Sequence, residues 1–553
     1  MKKRIIIKAC ALAATCAAVI SISTPAYSAT ERTSFDTKRT SFDTKGSLYE
    51  QSDSPWINSR GNTTSNVTQL VRQIEQSLFH GLNPENYQLS KILELQEVLK
   101  SRSMSARDRQ RALSQLESTL DNAYYKLADH IGSSLVEGRD VQTYVFRSSP
   151  EPELNTMYKN LASGEQTIDK VFDTIAPTHN DYTRLQDALR DLIHEKNAGL
   201  GRTHVPAGST VSVGEDHETV RAAKLRLLET GDYTGSSGIH STYDASFEEA
   251  VIAFQNRHHI SPTGDIDKET VQAMNRSVNE DITQIVVSLE RWRWMPRELG
   301  EQRVMANVPD FRVRMFNGEQ KIADMAAVVG KRKHRTPLFS ETIKHVVAAP
   351  TWTVPESITN KELVPLERKD PGYLERNNYE LLRWNGKRRI RVPFSEVPAS
   401  DYNKKRFPYT IRQRAGSNNA LGDVKILMPN KYAIYFHDTQ AKNLFGREER
   451  AFSHGCVRLH EPQRLASLIM QVDGESQSKT ESFLKSKKTK QYNLDNPIDS
   501  HIVYFTTFVD EDGKLNFRND VYRYDKKITA ALQGNSLLGV LDSKPELFAN
   551  IAD

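Results

Sequence analysis

The chain has 553 residues, with 75 Lys and Arg against 70 Asp and Glu, 38% hydrophobic residues and a mean hydropathy of −0.59. This is ordinary globular composition, which excludes a disordered, collagen-like or polytopic membrane chain. At roughly 150 residues per domain the length predicts three or four folding units, each able to bury its own core.

The N-terminus carries Lys2, Lys3, Arg4 and Lys8, then an apolar run from Ala9 to Ile20, then the small-x-small sequence Ala26-Tyr27-Ser28. That pattern predicts a secretory signal peptide over residues 1–28 and hence an exported, periplasmic protein. The 12-residue run is short of the about 20 needed to span a bilayer. A lipoprotein signal ending at Cys16 is disfavoured by Thr15 and by the apolar core continuing past it. Removing residues 1–28 takes away four positive charges and no negative ones, so the formal balance falls from +5 to +1. A nucleic-acid partner thereby loses its global electrostatic support. Cys10 and Cys16 leave with the signal, and Cys456 stays as a lone thiol that no intramolecular disulfide can absorb.

Residues 29–60 read as a flexible polar leader, with the heptapeptide RTSFDTK at Arg32–Lys38 and again at Arg39–Lys45. Residues 61–200 read as a helical scaffold domain. The supporting helical spacings are Val67, Leu70, Val71, Ile74, Leu78 and Leu113, Leu116, Leu120, Ala123, Leu127, Ile131. Gly199, Gly201, Pro206, Gly208 and Gly214 mark a linker at 201–218. Residues 219–280 form a compact unit: Val220, Ala223, Leu227 and Leu228 on one helical face, Phe247, Ala250, Val251 and Phe254 on another. Ser246 with Glu249 reads as a capping box, and a third helix runs from Lys268 to Arg276. The Phe254-Gln255 pair, the Gly264-Asp265 turn and Thr270 make this unit resemble the three-helix peptidoglycan-binding domain of cell-wall enzymes. Asp267 stands where that family usually has a second Gly.

From 281 the apolar period shifts toward two, predicting strands at Ile285–Leu289, Arg303–Val308, Ala326–Val329, His345–Ala348, Val424–Met428, Tyr432–Phe436 and His501–Phe508. A predominantly β domain is expected over 281–525, with a C-terminal tail at 526–553. Residues 361–414 interrupt it with 14 Lys and Arg against 7 Asp and Glu, and with Tyr373, Tyr379, Trp384 and Tyr402 interspersed. They read as an inserted basic, aromatic lobe.

The motif that carries chemistry is Ser453-His454-Gly455-Cys456-Val457-Arg458, with His437 upstream across 15 intervening residues. A Cys nucleophile works as the thiolate, and an adjacent imidazole that takes its proton lowers the effective pKa from about 8.5. Gly455 allows a sharp turn, and backbone N–H groups near Cys456 with the Arg458 guanidinium suit an oxyanion. The string resembles the catalytic motif of the L,D-transpeptidases, the YkuD-type fold. The surrounding segments Glu290–Pro296, Pro350–Pro355 with Ser357-Ile358, and Gly416–Gly422 resemble its large YcbB type.

The resemblance implies a multidomain α+β chain: helical scaffold, peptidoglycan-binding-like module, and a β-rich catalytic domain with a capping insertion at about 361–414. It implies diaminopimelate-to-diaminopimelate cross-linking through a Cys456 thioester with release of D-Ala, and His437 as base. A backbone carbonyl of the His454-Gly455 loop would orient His437, and Ser453 and Arg458 would shape the acyl site. Tyr435, Trp352, Asn419 and Gly422 are candidate substrate contacts. No cofactor or metal is implied; the partners are peptidoglycan stem peptides, and carbapenems as inhibitors. The alternatives use water as acceptor (an L,D-carboxypeptidase) or a lipoprotein lysine (an anchoring ligase), or make the protein a non-catalytic wall-binding scaffold. A zinc peptidase using His437, Asp438, His454, Cys456 or His460 lacks the His-Glu-x-x-His pattern.

Overall fold

A computed structural model describes residues 54–141, 153–199, 201–235 and 238–544. The expected signal peptide and the RTSFDTK repeats lie outside the described residues. Among the described residues no helix is long and apolar enough to cross a membrane.

In the N-terminal region the helices Ser65–Gln76, Leu89–Leu99, Ala106–Gly132, Leu154–Ala162 and Ile168–Ile175 share one core. The expected stripe of Val67, Leu70, Val71 and Ile74 is buried, as i, i+3, i+4, i+7 spacing requires. One boundary is corrected. Trp56, assigned to the flexible leader, is fully buried in this core and donates its indole N–H to Asp121 Oδ1 at 2.7 Å. A large aromatic with a satisfied polar end anchors the chain before residue 60.

The second unit packs Glu218–Glu229, Ala245–Arg257 and Lys268–Met274 around Val220, Leu227, Phe247, Val251 and Phe254. Leu228 points outward, 43% exposed, because its neighbour Leu227 takes the inner position on the same turn. The capping box at Ser246 is also corrected. Asp244 is the cap, accepting from Phe247 N at 3.1 Å, and the Ser246 hydroxyl donates to the same carboxylate.

The strand expected at Ile285–Leu289 is helix, within Val278–Arg293. Ile282, Ile285, Val286, Val287 and Leu289 are all buried, so the segment lacks the polar face that betrays a helix by period. Ser277 and Glu280 form the capping box that starts it. The same core takes in the supposed C-terminal tail. Asp525–Leu532 and Leu537–Ser543 are helices, with Ile528, Val540 and Leu541 buried against it.

The β domain is a sheet in the order β11-β3-β12-β10-β9-β4-β13-β1-β2. Its strands are β1 (Gln302–Asn307), β2 (Arg312–Asn317), β3 (Gln320–Gly330), β4 (Phe339–Ala348), β9 (Val424–Leu427), β10 (Phe436–His437), β11 (Ala451–Ser453), β12 (Val457–Leu459) and β13 (Lys490–Val503). Because β2 also pairs with β3, the sheet closes on itself and β11 is carried as an extra edge. Of the strand expected at Tyr432–Phe436 only Phe436 joins the ladder, since Ala433 adopts a left-handed φ of 55° that breaks extension.

The inserted lobe starts earlier than 361. Its sheet, in the order β5-β8-β6-β7, comprises β5 (Trp352–Thr353), β6 (Tyr379–Trp384), β7 (Arg389–Val392) and β8 (Thr410–Gln413), with Trp352 paired to Gln413. Val354, Leu374, Leu381 and Ile411 give it a core of its own.

Candidate active site

Strand geometry makes the site. β10 and β12 are parallel neighbours, with Phe436 opposite Val457 and His437 opposite Arg458. β9 is antiparallel on the other side of β10, with Ile426 opposite Phe436 and Lys425 opposite His437. Side chains alternate faces, so Phe436, Val457 and Ile426, all fully buried, turn into the core. His437, Arg458 and Lys425 therefore share the opposite face, and the residues next outward, Tyr435 and Cys456, belong to it as well.

Cys456, half-buried, is the free thiol of the described chain. Its sulfur lies 3.7 Å from the Ala433 carbonyl and is hydrogen-bonded by Tyr435. Burial pushes the thiol pKa up, opposed by the Tyr435 contacts and by the charges of Lys425 and Arg458. His437 is buried, and desolvation together with Arg458 pushes it down to about 3. The pair therefore rests as thiol and neutral imidazole, not as the preformed ion pair that a lowered thiol pKa would give.

The orienting carbonyl is not in the His454-Gly455 loop, as expected, but is that of Asp438, 2.5 Å from His437 Nδ1. This contact fixes the ring and leaves Nε2 as the working nitrogen. Asp438 is held in turn: its Oδ2 accepts from Asp423 N and its Oδ1 from Thr439 N and Lys442 Nζ. The expected substrate contacts Asn419 and Gly422 stand behind this support. Asn419 is buried and spends its amide on the Pro350 and Arg414 carbonyls and on Leu421 N. Gly422 has φ 59°, and a Cβ there would sit 2.2 Å from Asp438 Oδ2.

The loop of the nucleophile is braced. Ser453 Oγ donates to the Cys456 carbonyl at 2.6 Å and accepts from Gly455 N at 3.0 Å. The Gly455 N–H is thus already engaged. Gly455 itself has φ 122°, with a Cβ position 3.3 Å from Ile434. Thr336, buried and unremarked in the sequence, donates to the Gly455 carbonyl at 2.9 Å, and its N–H is taken by the Tyr522 hydroxyl at 3.1 Å. His454 reaches Glu362 of the lobe at 2.7 Å.

Tyr435 and Trp352 come together: the Trp352 side chain hydrogen-bonds Tyr435, whose ring stands 5.6 Å from that of His437. Lys425 was missed. Its Nζ lies 3.8 Å from the centre of the Tyr435 ring, and burial lowers its pKa against the pull of Cys456. Alternation within Val424–Met428 placed it outside the core, but nothing in the sequence said that its face was this one. Arg458 is the second cation facing the sulfur, its Nε buried without a partner. Among the described residues, no three His, Cys, Asp or Glu side chains converge as metal ligands.

The shared face thus carries a thiol, a neutral imidazole fixed by a backbone carbonyl, and the cations Lys425 and Arg458, while the lobe touches the motif loop through Glu362. Residues 301–481 match the YkuD family, described as an L,D-transpeptidase catalytic domain. The chain carries a YkuD-family L,D-transpeptidase catalytic domain. Residues 46–189 match a "Scaffold domain" and residues 216–274 a "Putative peptidoglycan binding domain". A Haemophilus influenzae protein named "Putative L,D-transpeptidase" is 32% identical over 271 residues, 48% of this chain and 53% of that one. The chain thus spans about half the length of the curated relative it matches. Among solved structures, an L,D-transpeptidase from Stackebrandtia nassauensis aligns over 54% of this chain and 95% of its own at 12% identity, TM-score 0.21. One from Xylanimonas cellulosilytica aligns over 54% and 98% at 12% identity, TM-score 0.17.

Proposed function

We propose that the protein is exported to the periplasm and forms diaminopimelate-to-diaminopimelate cross-links in peptidoglycan, with Cys456 as nucleophile and His437 as base. What supports this reading is that His437, neutral and oriented by the Asp438 carbonyl, and Cys456 lie on the same face of the neighbouring strands β10 and β12. His437 takes the thiol proton as sulfur attacks the carbonyl carbon at the L-centre of diaminopimelate in a donor tetrapeptide. The C–N bond to D-Ala breaks, and the proton goes to the departing amine. A thioester remains on Cys456. The side-chain amine of a second stem attacks it, gives its proton to His437, and expels the thiolate as the new amide forms.

Lys425 and Arg458 stabilise negative charge on sulfur and on the tetrahedral oxygen. The lobe, which contacts the motif loop through Glu362, keeps water from the thioester. The same thiol would be acylated by carbapenems.

The test is incubation of the purified protein with a tetrapeptide muropeptide, beside Cys456→Ala, read by mass spectrometry. A dimer lacking one D-Ala, formed only with Cys456, is expected, and an equal yield from Cys456→Ala would sink the mechanism. Tripeptide alone would make water the acceptor.

A further inference from the structure

The peptidoglycan-binding-like unit and the β domain enclose a cleft of about 690 Å³, lined from the first by Asp232, Arg257 and His259 and from the second by Arg312, Arg450 and Arg518. The two walls are tied together. Arg257 Nη1 donates to the Leu515 carbonyl at 2.5 Å, Arg518 Nη1 to the Arg257 carbonyl at 3.0 Å, and Lys514 Nζ to the Gly231 carbonyl at 2.7 Å. His258 stacks on Phe517 with ring centres 5.0 Å apart. The cleft therefore belongs to the rigid junction and not to a chance gap between loosely tethered units.

Its charges are unevenly matched. Asp232 is taken by Arg257, and Asp310 by Arg314 and Arg518. Asp510 accepts from Asn516 Nδ2 and from the Lys514 N–H. Glu448 accepts from Ser261. These four wall carboxylates are thus engaged and Asp512, the fifth in the lining, is exposed to solvent, whereas Arg447 and Arg450 have no carboxylate within ion-pair distance among the described residues. Arg447 lies over Phe452 at 5.3 Å and Arg450 over Phe311 at 5.4 Å. Arg450 spends its two terminal nitrogens on the Arg447 and Phe311 carbonyls, and its Nε is buried without a partner. His259, held at a left-handed φ of 55°, presents a buried Nε2 that also lacks one. Burial and the nearby Arg312 lower the Arg450 pKa against the opposing pull of Asp310, so an anion arriving here would relieve a like-charge contact already present.

We infer that this inter-unit cleft is a second binding site, taking a carboxylate of peptidoglycan through Arg447 and Arg450, beside Arg312, which is already paired with Asp324. Guanidinium groups suit a planar carboxylate, which they can hold with paired hydrogen bonds. The inference rests on the proposal that the protein works on peptidoglycan. Arg450 immediately precedes β11, whose last residue, Ser453, opens the loop of the nucleophile, so a polymer held here is held by the segment that leads to the catalytic thiol. The carboxylate has two sources, the stem peptide and, where that peptide has been removed, the lactyl group of the sugar.

The experiment is co-sedimentation of the full chain with insoluble peptidoglycan, intact or stripped of its stem peptides by an amidase, for the parent and for Arg447→Gln/Arg450→Gln. Charge-assisted hydrogen bonds of the usual strength predict an apparent Kd raised about tenfold in the double variant. Loss on intact material alone assigns the stem carboxylate, loss on stripped material alone assigns the lactyl carboxylate of the sugar, which is free only there, and loss on both shows that the site takes either carboxylate. Arg447→Glu, changed at an exposed side chain, gives the same readout should Arg450→Gln compromise folding. Equal sedimentation of parent and variants, or none by the parent, overturns the site. Thiol acylation by a soluble tetrapeptide is followed in parallel and stays at the parental rate. Its absence in the parent would count against the catalytic proposal and leave the sedimentation result to stand alone.

Discussion

Glu362 Oε1 lies 2.7 Å from His454 Nε2, which ties the capping lobe to the loop that ends in Cys456. Glu362 sits in a π-helical turn, Thr359–Leu363, an irregularity that often marks working segments. Both side chains are partly exposed, and such pairs are worth about 0.2–1 kcal/mol, weak enough to break readily. Glu362→Ala should leave the melting temperature nearly unchanged while accelerating modification of Cys456 by a bulky maleimide several-fold. Equal modification rates would mean that this contact does not hold the lobe down.

The resting thiol sets the pH response. Burial raises the Cys456 pKa and keeps His437, at about 3, neutral throughout the working range. Iodoacetamide reactivity should then climb with pH toward the alkaline side of the ordinary thiol value, with no plateau between pH 5 and 7 of the kind an ion pair produces. An inflection near pH 6 would show that the imidazolium–thiolate pair does form.

Lys425 gives a sharper test of the electrostatics. Replacing it with Met removes a cation that favours the thiolate, so the alkylation profile should move to higher pH, and Lys425→Arg should restore most of the shift. A uniform fall in rate with an unmoved midpoint would assign Lys425 to packing against Tyr435 instead.

Gly422→Ala attacks the base from behind. The new methyl would clash with Asp438 Oδ2 at a backbone angle that L-residues avoid, pushing on the residue whose carbonyl orients His437. Turnover should fall by about tenfold or more, the scale on which misplaced catalytic groups fail, with KM less affected. Parental kcat in a folded Gly422→Ala would show that the Asp438 support is dispensable.

Acid should unfold the protein early. His437 and His80 are both held at about 3, well below the unfolded value near 6.5. Below pH 6.5 the unfolded chain binds protons that the native chain refuses. Their contribution is complete above that pH and fades as pH falls toward 3, by about 1.4 kcal/mol per pH unit per histidine. Urea midpoints measured from pH 7 to pH 4.5 check this; a flat profile would contradict the buried, neutral state of these rings.

The thiol and imidazole proposed as nucleophile and base were legible because their chemistry is written in one short string and one spacing. The helical stripes were legible where one face was wet, as in Val67–Ile74. Val278–Arg293 was misread because burial on nearly all sides erases the period. The supports of the site were hidden for another reason. Lys425, Thr336 and Asp438 act through register and contacts far apart in sequence, and of the residues noticed within a motif Asn419 binds the Pro350 and Arg414 carbonyls while Gly422 packs against the Asp438 carboxylate. Local pattern reports what a residue is, and only pairing reports what it faces.

Tyr522 reaches back across the fold to bind the Gly330 carbonyl and the Thr336 N–H, and Thr336 in turn fixes Gly455 beside the nucleophile. The loop that carries Cys456 thus waits on a residue that follows it in the chain. A chain cut short upstream of that tyrosine would carry the whole Ser453–Arg458 string yet lack its brace, so the presence of the motif does not by itself guarantee its shape.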